Sequence, residues 1–254
     1  MLDQKKFFDG VRHGPFPGRL SGSQVSGMLS ILEEWKKVSS PRVDWVANSL
    51  GQIYWEVGGR MQPVREGYAV NDEAAIAHVT RLYKAGRIRT NYALPHPKTG
   101  QSYYGRGLIQ LTWYDNYVIQ GNKLGVDLVN NPDLALDPEI SAAIAVQGMI
   151  DGDFRKGHSF KTYFNDDGQD WLGSRAIVNH PSDHSSDIAT LSKAFYVDIL
   201  AAQKEDDGEL EPVPGVPEEV KFTAEDLGLD ASHVELLTWA KTGGFTPAIL
   251  LEKG

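Results

Sequence analysis

The sequence predicts a mainly α fold with little β structure, and three observations carry that expectation. Apolar residues recur at helical spacing in most long segments up to about residue 204, several of those segments begin at helix-capping residues, and period-two alternation of any length is scarce. The chain has 254 residues, of which 41% are hydrophobic and 23% charged. That is enough apolar material for a sizeable core, and it is far from collagen-like, disulfide-scaffold or disordered compositions.

Taken in order, the first helix is expected around Val25, Met28, Leu29, Leu32 and Trp35, which share one face after a cap at Ser21 or Ser23. The second opens on Ser40 as N-cap with Pro41 in the first helical position. Its apolar stripe is Val43, Val46, Leu50, Ile53, Tyr54 and Val57, and Gly58-Gly59 ends it. A third runs from about Asp72 to Gly86. Asp137-Pro138-Glu139 opens another that reaches about Gly152, and Ser186 with Asp187 starts the last, where Ile188, Leu191, Phe195 and Ile199 keep the helical period. One short hairpin is expected near residues 90 to 104, where Asn91, Pro95, Pro97 and Gly100 mark turns.

Composition removes several classes of chemistry. The absence of cysteine excludes disulfides, thiolate nucleophiles and zinc-thiolate sites. No apolar stretch approaches the roughly 18 residues that span a bilayer. The start, MLDQKKFFDGVRHG, lacks the apolar core of a secretory signal, so the chain is expected to stay in the compartment where it is made. Most of the net charge of −9 sits in residues 201–254, where 4 lysines face 12 acids, leaving the main body nearly neutral and without the basic stripe of a nucleic-acid binder.

That change in charge also marks a boundary. Glu205 to Glu219 carries seven acids and the prolines of EPVPGVP, the pattern of an extended, self-repelling linker. Residues 220–254 hold one amphipathic candidate helix, about Ala231 to Lys241, too small to build a core. It either docks on the main body or serves as a partner-binding peptide.

The chain has no GxGxxG, P-loop, GxSxG or HExxH motif. His180 and His184 have tolerable metal spacing beside Asp183 and Asp187, but Pro181 interrupts the helix they would need, so the segment reads as a surface loop. Asn165 to Asp170 has its glycine misplaced for a calcium loop and reads as a turn.

Two segments stand out. In YWEVGGRMQPVREGY, residues 54–68, Glu56 occupies the last turn of the second helix at the rim of its apolar stripe. The negative end of the helix dipole and partial desolvation both disfavour its ionisation, as a general acid requires; a surface glutamate with a packed stem has the same spacing. Glu66 lies in a loop bounded by Pro63 and Gly67, facing a cleft or paired with Arg60 or Arg65. In YYGRGLIQLTWYDNY, residues 103–117, Gly105 and Gly107 flank Arg106, while Gln110, Thr112 and Asn116 stand among tyrosines and Trp113. That interleaving suits a carbohydrate cleft, and equally a tyrosine-rich core with a helix beginning at Thr112.

YYGRGLIQLTWYDNY followed by LGVDLVNNPDLALDPEISAAIA closely resembles the signature of glycoside hydrolase family 19, the plant-type chitinases and many bacteriophage endolysins. WEVGGRMQPVRE resembles the family's catalytic helix end, usually HETGG, and the resemblance runs from about residue 45 to SRAIVNH and the last helix, within a domain of residues 1–204. It implies a two-lobed, lysozyme-like fold with a central cleft and inverting hydrolysis of β-1,4 bonds next to N-acetylated sugars. By position, Glu56 matches the general acid, Glu66 the base that activates water, and Thr112 the hydroxyl that holds the water. Tyr104, Gln110, Asn116 and Asn179 match substrate-contacting positions. An inverting pair leaves room for water, with carboxyls about 6.5–9.5 Å apart.

Trp55 and Val57 replace the usual His and Thr beside the acid, which removes hydrogen bonds that would orient it. The resulting expectation is a monomeric, cofactor-free, metal-free wall-glycan hydrolase of endolysin type, made without a signal peptide and acting on peptidoglycan after release. Chitin is the alternative substrate. A catalytically weakened glycan-binding or virion module and a lytic transglycosylase are the other readings.

Overall fold

The computed structural model of the chain describes residues 2–203. The linker and C-terminal helix expected from residue 205 onward lie outside them. The described body is mainly helical, as the periodicity predicts. Helix α1 (Gln4–His13) was not anticipated from sequence; it starts where Asp3 accepts a hydrogen bond from the Lys6 amide. Helix α2 (Gly22–Lys36) opens on a reciprocal capping box between Ser21 and Gln24.

Helix α3 (Val43–Glu56) begins later than the Ser40-Pro41 pair suggests. Ser40 takes a left-handed φ of 51°, and Arg42 stands at the N-cap without a side-chain cap. In place of a cap, Arg42 forks onto the buried Asp44 carboxylate at 3.1 and 2.9 Å, and that carboxylate lies in the helix's first turn where negative charge is favoured. The predicted stripe on α3 also understates its burial. Every residue from Val46 to Ile53 is buried, the polar Asn48, Ser49 and Gln52 included, because α3 lies along α8 on one side and contacts α2 and α6 on others. Gly51 makes the approach of α8 possible: a Cβ there would stand 2.1 Å from Ser192 Oγ.

After α3 come strand β1 (Val64–Arg65), a 3-10 turn (Glu66–Tyr68) and α4 (Asp72–Lys84), which Asn71 caps through the Ala74 amide. The hairpin expected at 90–104 is absent. Side chains organise that stretch instead: Ser102 Oγ donates to the Ala93 carbonyl, Asn91 Oδ1 accepts from the Ala93 amide, and the His96 ring stacks 4.0 Å from Tyr114. Its prolines and glycine close a stapled loop, and the actual pairing partner of β1 is strand β2 (Arg106–Gly107), antiparallel with Val64 opposite Gly107 and Arg65 opposite Arg106. Two arginines facing each other across a ribbon would repel. Here they share two aspartates: Asp72 lies 3.2 Å from Arg65 Nε and 3.4 Å from Arg106 Nη2, and Asp133 pairs with Arg65 and with Arg106 Nε at 2.8 Å.

Helix α5 (Tyr114–Leu124) starts two residues beyond Thr112, with Trp113 at its N-cap. A 3-10 turn (Pro132–Leu136) leads to α6 (Pro138–Asp151), whose start at Asp137-Pro138 and left-handed Gly152 stop follow the sequence signals closely. A short α7 (Phe160–Tyr163) precedes strands β3 (Phe164–Asn165) and β4 (Gly168–Gln169), so the acidic run is the expected turn, here inside a minimal hairpin. A 3-10 turn (Gly173–Ile177) and α8 (Ser185–Ala201) complete the body.

Two apolar clusters form. The larger joins Phe7, Met28, Leu50, Ile144 and Phe195 across α1, α2, α3, α6 and α8. The smaller joins Ala75, Val79, Ala93 and Tyr104 under α4. Val57, Met61 and Val64 keep the segment 57–66 on the larger cluster, and Ala69 beyond it packs on the smaller.

Candidate active site

Glu56 ends α3 on the side of the larger cluster, and its side chain is 14% exposed. Its Oε1 lies 2.7 Å from Arg175 Nη1, an ion-pair contact whose angles fall outside hydrogen-bond geometry. Burial pushes the Glu56 carboxyl above the usual range. The Arg175 guanidinium opposes that rise, while the charges of Asp183 and Glu66 add to it. Net desolvation therefore outweighs one buried cation, leaving an acid biased toward its protonated form.

Arg175 is the residue that sequence reasoning missed. It is fully buried, and it donates to Gln52 Oε1 at 2.9 Å, to Asp183 Oδ2 at 2.6 Å and to the Asp183 carbonyl at 3.1 Å. The available signal was an arginine set directly before the apolar Ala176-Ile177-Val178 in SRAIVNH, far in sequence from the acid it meets. Orientation that Trp55 and Val57 do not supply thus comes from Arg175. Trp55 turns outward, its ring 4.5 Å from that of His184, and Val57 is buried.

Glu66 stands between Val64, which packs on the larger cluster, and Ala69, which packs on the smaller. The β1–β2 ribbon carries it, the Glu66 amide donates to the Gly105 carbonyl at 2.8 Å, and the Gly105 amide returns a bond to Glu66 Oε2 at 3.2 Å. Only glycine permits this: a Cβ at 105 would stand 2.5 Å from Oε2. Burial raises the Glu66 carboxyl too, but the Gly105 amide, the nearby His78 and the Tyr92 phenol all favour the carboxylate. Tyr92, also absent from the sequence candidates, is pushed up to about 12 by its own burial and by Glu66, so it remains a neutral donor.

Gln110 has a left-handed φ of 53° and donates to the Val64 and Gly107 carbonyls at 3.0 and 3.1 Å, which fastens the site loop to the ribbon. Thr112 Oγ1 donates to the Gln110 carbonyl at 2.7 Å, which leaves its lone pairs to accept from a water. Asn116 Nδ2 donates to the Thr112 carbonyl at 2.7 Å, and with Gln110 and Thr112 it lines a cavity of about 110 Å³. Asn179 is exposed and donates to Asp183 Oδ2 at 3.0 Å, placing it on the Arg175 side. Tyr104 stands apart from these. It has no accessible surface, its hydroxyl bonds Asp72, and its ring lies 3.7 Å from the Arg106 guanidinium, so it packs beneath the site and offers nothing to a ligand.

A sequence model of the family described as Chitinase class I (glycoside hydrolase family 19) matches residues 46–161, the stretch that carries Glu56, Glu66 and Thr112. Among curated relatives, Endochitinase A2 of Pisum sativum is 55% identical over 49 residues, covering 19% of this chain and 15% of its own length. Endochitinase 1 of Theobroma cacao is 60% identical over 43 residues, 16% of this chain and 13% of its own. Inactive chitinase-like protein 1 of Hevea brasiliensis is 44% identical over 72 residues, 26% of this chain and 23% of its own. The chain thus aligns with less than a quarter of the length of these relatives. Chitinase C from Streptomyces griseus HUT6037 superposes with a TM-score of 0.49 at 18% identity, covering 78% of this chain and 76% of its own. Residues 46–161 of the chain are thus similar to glycoside hydrolase family 19.

Proposed function

We propose that this protein is a glycosidase that cleaves β-1,4 bonds next to N-acetylated amino sugars by an inverting acid–base mechanism. The observation that carries the reading is a pair of carboxyls within electrostatic reach: Glu56 at a helix end beside the buried Arg175, and Glu66 on the Gly105 amide, both raised by burial and each held back by its own partners. Glu56 protonates the leaving oxygen. Glu66 takes a proton from a water held at Thr112, and that water attacks the anomeric carbon from the opposite face.

The finer proposal is that the glycan is the strand of bacterial peptidoglycan and that the enzyme acts on the wall after release, as an endolysin does. Chitin is the second substrate reading, and the names of the curated plant relatives favour it. The deciding experiment digests purified sacculi and N-acetylglucosamine oligomers with the wild type and Glu56→Gln. Turnover falls by at least about 100-fold in the variant if Glu56 is the acid, and the substrate that the wild type consumes faster fixes the specificity. Equal turnover by both proteins refutes the assignment. No turnover by either returns the chain to a binding role, and 1,6-anhydro product ends would make it a transglycosylase.

A further inference from the structure

We propose that Trp113 and Tyr92 form a saccharide-stacking subsite beside Thr112, so that one sugar ring of the glycan packs on the Trp113 indole. The proposal rests on the glycosidase reading above.

Four observations lead to it. Trp113 is 49% exposed, so the core does not need its ring. Its backbone has φ 75° and ψ 138°, a region that a bulky L-residue occupies only at a cost in strain. That backbone is pinned from both sides: its amide donates to the Tyr103 carbonyl at 2.9 Å, and its carbonyl accepts from the Asn116 and Tyr117 amides at 3.1 and 3.3 Å. Finally, the indole lies 5.4 Å from the ring of Tyr92, whose phenol is near enough to Glu66 to favour its carboxylate.

Next to the cavity-lining Thr112 and Asn116, the indole packs on Tyr92 alone among the ring contacts of the described residues and leaves half its surface open, at a backbone position that glycine would occupy without strain. An indole face does offer what an N-acetylated pyranose requires, a flat apolar surface next to polar donors. Tyr92 packs against that surface on the side of Glu66. A sugar seated on Trp113 is thereby registered against Glu66.

The test measures binding of the N-acetylglucosamine hexamer by calorimetry in the Glu56→Gln background, where the ligand is not consumed. Adding Trp113→Gly weakens binding about tenfold, the loss of one buried aromatic face, while the melting temperature stays level or rises because the strained φ is relieved. Trp113→Phe retains most of the affinity. Tyr83→Ala, which removes an exposed aromatic on α4, leaves it unchanged. Parent affinity in the glycine variant overturns the subsite and leaves the glycosidase reading standing, and an equal loss in Tyr83→Ala overturns it as well. Absence of hexamer binding in Glu56→Gln itself, joined to absence of turnover in the wild type, overturns both.

Discussion

Asp198 allows a sharp quantitative prediction, because it is a carboxylate that the proposed chemistry does not use. It lies on α8 against α1, where Gly10 leaves it space: a Cβ at Gly10 would stand 2.5 Å from Oδ1. Its Oδ2 is sealed from solvent without a hydrogen-bond partner among the described residues, and burial pushes its pKa from 3.8 up to about 8. The folded state therefore keeps a proton that the unfolded chain releases above pH 4. Stability is complete below the unfolded value and declines by about 1.4 kcal/mol per pH unit as pH rises toward the folded one. At pH 7 the accumulated cost has a ceiling of about 4 kcal/mol. The residue as a whole retains a partly exposed edge, so roughly half of that, about 2 kcal/mol, is expected after solvent relaxation. Asp198→Asn removes the titration and should raise the melting temperature at pH 7 by about 4–8 °C. Thermal melts of both proteins from pH 4 to pH 9 check this. The two curves should converge at the acid end and diverge upward. A constant gap across the range, or a variant that melts lower at pH 8, would refute the argument.

Other outcomes follow from the same geometry. The pH–rate profile should be a bell, losing activity at high pH as Glu56 ionises and at low pH as Glu66 takes a proton. Tyr92→Phe should move the acid limb to higher pH, because the phenol favours the Glu66 carboxylate; steady-state rates from pH 4 to 8 show it. Gly105→Ala puts a methyl 2.5 Å from Glu66 Oε2, and should cut kcat by about tenfold or more through displacement of the base, with a far smaller change in melting temperature. Gly51→Ala has the opposite character. Its methyl meets Ser192 Oγ and backbone between α3 and α8, costing about 1–3 kcal/mol of stability in denaturant titrations.

What could be read in advance was the local part. Helix α6 was legible because Asp137, Pro138 and Gly152 carry their own start and stop within one segment, and the last helix because its apolar period is long. Glu56 was legible because its environment follows from its place at a helix end. The ribbon holding Glu66 was not, since two residues per strand cannot display an alternation, and their partners lie some forty residues apart. The Ser40-Pro41 start failed because Arg42 and Asp44 stabilise a later one through side chains. Arg175 stayed without a role because its partners, Gln52 and Glu56 on α3, are fixed only by tertiary packing of α3 against the turn before α8. Tyr104 matched a motif position whose side chain, in this fold, points into the smaller cluster.

The two carboxylates stand only ten positions apart, and the chain between them folds back through Gly58, Gly59 and Met61, with φ of 57°, 70° and 52°. This short segment works as a ruler. Together with the Arg175 contact on Glu56 and the ribbon behind Glu66, its length sets how far apart the two carboxyls stand. Because Met61 is buried in the larger cluster and its carbonyl closes on Gly27 of α2, a one-residue length change there would unseat α2 and alter the spacing of the two carboxyls in the same step.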